Sequence, residues 1–108
     1  MIVEQFKNYE LRLGKNQKEN DTLITEGSDN DYWVHISQYP SGHCIIVNKN
    51  DEKIPRNILK RACCLIKQHS KYSSSKNIEF DITQIKYIEK TDVLGEVLVS
   101  KFLKHITI

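Results

Sequence analysis

Residues 32–47 read Tyr32-Trp33-Val34-His35-Ile36-Ser37-Gln38-Tyr39-Pro40-Ser41-Gly42-His43-Cys44-Ile45-Ile46-Val47, and how this stretch folds back on itself decides what lies on each side of a sheet. Residues 32–37 and 43–47 have strand composition, and Pro40 and Gly42 suit the intervening 38–42 to a hairpin loop. Pairing Ser37 with His43 opposes His35 to Ile45 and Trp33 to Val47. The two-residue period of a strand then puts Trp33, His35 and His43 on one face and Val34, Ile36, Cys44 and Ile46 on the other. The apolar face is expected to be core, and the mixed face is expected to remain partly exposed.

Toward the N-terminus, residues 2–7 and 10–13 alternate β-branched, aromatic and apolar positions around a polar Asn8, which predicts a hairpin. Gly14 ends it. Residues 16–21 then lead into Leu23, Ile24 and Gly27, the pattern of a short capped helix, with a turn at 28–31. Toward the C-terminus, residues 55–71 carry the strongest helical signal. Pro55 suits a first-turn position, and Ile58, Leu59, Ala62, Leu65, Ile66 and His69 form one stripe expected to be buried. Residues 78–82, 85–89, 96–99 and 104–108 read as strands, with Gly95 before the third. The predicted fold class is α+β: a mostly antiparallel mixed sheet with one long and one short helix, in a single domain over 1–108, with no internal repeat or linker.

Charge is unevenly spread. Residues 49–76 hold eight Lys or Arg against two acids, whereas the whole chain of 108 residues is only +2. At about 100° per residue, Lys53, Arg56, Lys60, Lys67 and Lys71 fall within an arc of about 60°, opposite the buried stripe, provided the helix reaches back to Lys53. An arc of five bases and no acid suits a surface that tracks phosphates. The plainer alternative is a solvated outer face, with Lys67 and Lys71 offsetting the helix dipole.

Other residue types narrow the chemistry. No apolar run approaches the length needed to cross a bilayer, and the start has no basic leader, so a cytoplasmic location is expected. Cys44, Cys63 and Cys64 are odd in number and lack paired spacing. His35, His43, His69 and His105 do not complete a zinc set with them, so neither a disulfide framework nor a metal site is expected. His35, His43 and Ser41 suggest acid–base work, but no nucleophile-base-acid spacing accompanies them, so the chain is expected not to be an enzyme and to need no cofactor. Lys15 and Asn16, beside Gly14, are placed to meet a phosphate at a helix start, or simply to cap it. Trp33 is either a stacking platform for a base or a core residue.

The segments at 13–23, 31–36, 40–46, 59–65, 70–71, 80–87, 95–97 and 104–108 together resemble, in order and spacing, the NFACT-R (NFACT RNA-binding) domain. The likeness covers nearly the whole chain from about residue 9. It implies a domain that helps large ribosome quality-control proteins engage tRNA on a stalled large subunit. The stand-alone type found in coiled-coil-domain proteins is the expected one, since the resemblance extends to none of the large proteins' other domains. Expected partners are RNA, either tRNA or ribosomal RNA, with DNA or ribosome-associated proteins as alternatives. A protein-interaction adaptor without nucleic-acid contact is a further alternative. Asn20 and Lys104, which lie in matched segments, join Lys15, Asn16, Trp33, His35, Ser41, His43 and the helix row as nucleic-acid-binding candidates. Two departures stand out. Residues 89–94 are shorter and less basic than the loop of many relatives, and Val34 replaces a frequent aromatic, a change expected to affect packing.

Overall fold

A computed structural model describes residues 1–108. Its main sheet is antiparallel and six-stranded, formed by β1 (Ile2–Phe6), β2 (Tyr9–Leu13), β3 (Tyr32–Ile36), β4 (Cys44–Ile46), β5 (Glu79–Gln84) and β8 (Lys104–Thr107). Their order across the sheet is β1-β2-β4-β3-β5-β8. A separate two-stranded ribbon joins β6 (Ile88–Lys90) to β7 (Val97–Val99). Helix α1 (Gln17–Glu26) follows the first hairpin, and α2 (Arg56–Gln68) follows β4. The class is α+β, with ten residues in α1 and thirteen in α2.

The two helices serve opposite faces of the sheet. Val34, Ile36, Cys44, Ile46, Phe80 and Ile82 meet Ile58, Leu59, Ala62, Cys63, Leu65 and Ile66 of α2 in the larger apolar cluster. Trp33 and Ile45, on the reverse face, meet Leu23 and Ile24 of α1 and Ile85 in a smaller one, against which Ile88, Val97 and Val99 of the ribbon also pack. The expected division of residues 32–47 into two faces is thus present, but the mixed face is roofed over more fully than expected.

The hairpin register differs from expectation by two residues, which preserves the faces while changing every partner. Val34 opposes Cys44, Trp33 opposes Ile45 and Tyr32 opposes Ile46. The cause lies in where the backbone of His43 is bonded. Its carbonyl accepts from Gly14 N–H at 3.0 Å, and its N–H donates to Asn20 Oδ1 at 3.1 Å. His43 therefore belongs to the α1 junction, and β4 begins only at Cys44. Ser41 Oγ accepts the Ile36 N–H at 3.2 Å and donates to the Gly42 carbonyl at 3.0 Å, closing the wider loop.

Three further expectations are corrected. Helix α2 spans Arg56–Gln68, so Lys53 precedes it and Lys71 lies in the turn after it. His69 is the C-cap and is exposed rather than part of the buried stripe, because the helix ends before its side chain reaches the sheet. Residues 85–89 do not form one strand. The N–H groups of Ile85 and Lys86 donate to the Asp31 and Asp29 carbonyls, which draws Ile85–Tyr87 into a 3₁₀ turn before β6 starts. These bonds take the chain out of the main sheet and across the α1 face.

Candidate nucleic-acid interface

The mixed face is organised around three rings. Trp33 and His35 stand two residues apart on β3, so their side chains project from the same face and stack with centroids 5.3 Å apart and planes 13° from parallel. His43 meets both edge-on, at 5.3 Å from Trp33 and 4.9 Å from His35. Trp33 Nε1–H donates to His43 Nδ1 at 3.1 Å. An indole N–H can only donate, so His43 Nδ1 must be unprotonated and a neutral ring carries its proton on Nε2. Burial, reinforced by the neighbouring His35, pushes the His43 pKa down to about 3. Burial also lowers that of His35, although the Asp81 carboxylate acts in the opposite sense. Both rings are therefore uncharged near neutrality.

A cleft of about 650 Å³ opens on this face. Asn20, Trp33, His35, Ser41 and His43 line it, so five of the residues singled out in the sequence converge there. Tyr39 and Pro40 of the hairpin loop bound it, together with residues 93–99 and Phe102. Gly95 makes that boundary possible. It has φ +80°, and a Cβ there would lie 2.9 Å from the Gln17 carbonyl oxygen, so a larger residue would hold the segment off the start of α1. Gly14 has a similar role, since a Cβ would lie 2.3 Å from Asn20 Oδ1, the atom that fixes His43. Trp33 is only 2% exposed and His43 4%, which leaves His35 as the accessible ring of the three.

Asp81, Phe102, Gln17 and Gln38 also line the cleft, although sequence reasoning did not select them. Asp81 comes to this row because β5 pairs with β3 so that His35 opposes Asp81. The strands are far apart in the chain, and no local pattern reveals their register. The best available signal was the largely apolar segment 93–103, in which Leu98 and Phe102 are exposed.

The basic candidates lie elsewhere. Arg56, Lys60 and Lys67 are on α2, beyond the larger core and on the opposite side of the sheet from the cleft. Arg56 and Lys60 are exposed, while Lys67 Nζ donates to the Ile108 carbonyl at 3.1 Å. Arg61 is held by Glu4 through two bonds of 2.6 Å, and this guanidinium keeps the Glu4 carboxyl below its ordinary range. Lys53 and Lys71 are exposed beyond the helix ends, with Lys71 5.5 Å from the Tyr72 ring centroid. Lys104 opposes Ile82 and is half-buried. Asn16 is the N-cap of α1, and its Oδ1 accepts the Glu19 N–H at 2.9 Å. Glu19 in turn accepts the Lys15 N–H at 2.9 Å, so a carboxylate already occupies this helix start and only the Lys15 ammonium is left outward.

Three potential metal ligands meet at the far side of the mixed face. Glu79, Asp81 and His105 bring donor atoms within 4.8 Å of one another, and His105 Nδ1 lies 2.9 Å from Asp81 Oδ1. The grouping joins β5 to β8 and has no signature in sequence spacing. Cys44 and Cys63 are buried free thiols, and burial pushes the Cys63 pKa up to about 12, which keeps it protonated and unreactive.

Known proteins resemble this chain in fold or in sequence. The C-terminal part of the fibronectin/fibrinogen-binding protein from Streptococcus suis superposes on 94% of this chain and 41% of its own, with a TM-score of 0.82 at 22% identity, a likeness of fold. The coiled-coil domain-containing protein 25 homolog of Dictyostelium discoideum is 35% identical over 65 residues, covering 57% of this chain and 32% of that protein. Coiled-coil domain-containing protein 25 of Mus musculus is 32% identical over 65 residues, covering 57% and 31%. The matched stretch thus spans about a third of those relatives. A family profile described as the NFACT protein RNA binding domain matches residues 2–101, from β1 through both helices and the segment that closes the cleft, and the chain belongs to that family.

Proposed function

We propose that this chain binds structured RNA, tRNA or ribosomal RNA, through backbone phosphates in translation or ribosome quality control, as a binding module rather than an enzyme. Membership of an RNA-binding-domain family supports the RNA half of this proposal. The observation that carries the phosphate half is α2. Its thirteen residues include no acid, and Arg56 and Lys60 stand exposed on it without an ion-pair partner. A solvated helix ordinarily mixes charge signs, whereas a surface that releases counterions from a phosphate backbone needs one sign.

A salt titration of tRNA binding tests it. Affinity is expected to fall as salt rises. Arg56→Glu/Lys60→Glu is expected to weaken binding and to flatten the log–log slope by about one for each phosphate that is no longer neutralised. Competition at fixed salt among tRNA, duplex RNA and duplex DNA is expected to favour RNA, since 2′-hydroxyls and A-form shape distinguish it. Absence of tRNA binding at low salt, or identical behaviour of the variant, would sink the proposal. Equal or better competition by DNA would reassign the surface to DNA.

A further inference from the structure

The cleft and the basic helix lie on opposite faces of the sheet, and their chemistry differs as much as their position. No Lys or Arg lines the cleft, whereas the carboxylates of Asp81 and Glu96 do. A phosphate would meet negative charge without compensation there, so the cleft is unsuited to the part of a nucleic acid that the α2 surface suits. Among its lining residues is a half-buried, neutral ring, His35, laid parallel on the buried Trp33 and met edge-on by His43. Its rim is apolar and aromatic, with Tyr39 54%, Leu98 62% and Phe102 45% exposed. Around this slot stand acceptors, the two carboxylates, and the amides of Gln17 and Gln38. The volume of about 650 Å³ is within the ordinary range for small-molecule sites.

We infer that this cleft takes one unpaired nucleobase of the bound RNA, of the kind that bears an exocyclic amino group, stacked on His35. The inference rests on the RNA-binding proposal above and adds to it a second point of recognition, one without cations. Charge complementarity selects the occupant: a planar group that is neutral, offers N–H donors to carboxylates and leaves its phosphate outside. An aromatic platform holds any base by its π face, and the surrounding acceptors favour adenine, cytosine or guanine over uracil. Lys15, two residues before Gln17, and Lys101, next to Phe102, are both exposed, so cations flank the cleft in the chain without lining it. An apolar protein side chain would fill the same rim but would make no use of the acceptors around it.

The test uses three RNA hairpins with one stem and equal phosphate number, whose loops hold adenosines, uridines or abasic sites. The adenosine loop is expected to bind at least about tenfold tighter than the abasic loop, as loss of base–aromatic stacking predicts. The uridine loop is expected to fall between them. His35→Ala and Tyr39→Ala should each reduce this discrimination, and His35→Phe should retain the adenosine–abasic difference by keeping a stacking ring. Tyr39 is an exposed loop residue, so its variant keeps the test valid if His35→Ala does not fold. The cleft variants should leave the salt slope unchanged, in contrast to Arg56→Glu/Lys60→Glu. Equal binding of the three loops by the native chain overturns the inference and leaves RNA binding intact, assigning the cleft to another occupant such as a protein side chain. A flattened slope in the cleft variants also overturns it, by placing a phosphate in the cleft. Failure of all three hairpins to bind at low salt removes both proposals together.

Discussion

The two faces of the six-stranded sheet are built on different principles. On the α2 face, Phe80, Ile36, Val34, Ile82 and Ile46 are wholly buried and belong to one apolar cluster of sixteen residues. On the α1 face, five apolar residues share the interior with buried Asn20, His43 and Thr83, and the space beyond them stays open as the cleft. One face supplies stability by area removed from water. The other keeps polar groups inside by giving each a partner, and this holds a defined surface at lower apolar content. The difference between the faces is that packing closes the one completely and leaves a cleft on the other.

The most severe way to probe this division is to remove a ring from the apolar face. Phe80→Ala is expected to cost about 3–5 kcal/mol, from lost transfer energy plus the cavity left behind. Urea unfolding measures it, and a cost near about 1 kcal/mol would mean that the α2 face does not dominate stability. Next in size is the clamp on the other face. Asn20→Ala leaves the buried His43 N–H without its acceptor, at a cost of about 1–3 kcal/mol. Amide exchange should show the His43 N–H losing protection ahead of the β3–β5 ladder. Retained protection would detach the clamp from the cleft's architecture.

The smallest effect per step is a dependence on pH that only the mixed face should confer. His43 is neutral when folded, with its pKa at about 3, and protonates near 6.5 once unfolded. Between these values the unfolded state binds the extra proton, so stability is fully present above about 6.5 and declines as pH falls. The slope should approach about 1.4 kcal/mol per pH unit. The lowered pKa of His35 adds in the same sense. Unfolding measured from about pH 6.5 to 5, above most carboxylate titration, checks it. His43→Gln should retain only the share due to His35, and an unchanged slope would locate the effect elsewhere.

Much of this was legible locally. The alternation at 32–36 and 44–46 assigned Val34, Ile36, Cys44 and Ile46 to one face because strand side chains must alternate, whatever the partner strand. The stripe Ile58, Leu59, Ala62, Leu65 and Ile66 was legible for the same reason at helical period. The registry was not. His43 bonds through its backbone to Gly14 and Asn20, residues more than twenty positions away, and that outweighed the tight hairpin that Pro40 and Gly42 suggested. The basic row was legible as a set of residues but not as a surface. Helix α2 starts at Arg56 and ends at Gln68, which leaves Lys53 and Lys71 off the helix, while Lys67 is drawn to Ile108.

Sequence alone determined the class of fold, the family likeness, the apolar face and the concentration of positive charge near α2, because each follows from residue type and short-range period. Only the tertiary structure decided that Trp33 is the buried support and His35 the surface it supports. It also placed Asp81 beside them through the β3–β5 register and set the cation-free cleft and the basic helix on opposite faces of the sheet. Those outcomes depend on which strands become neighbours and which helix covers which face. Long-range pairing and packing energies set both, and neither leaves a mark in the order of nearby residues.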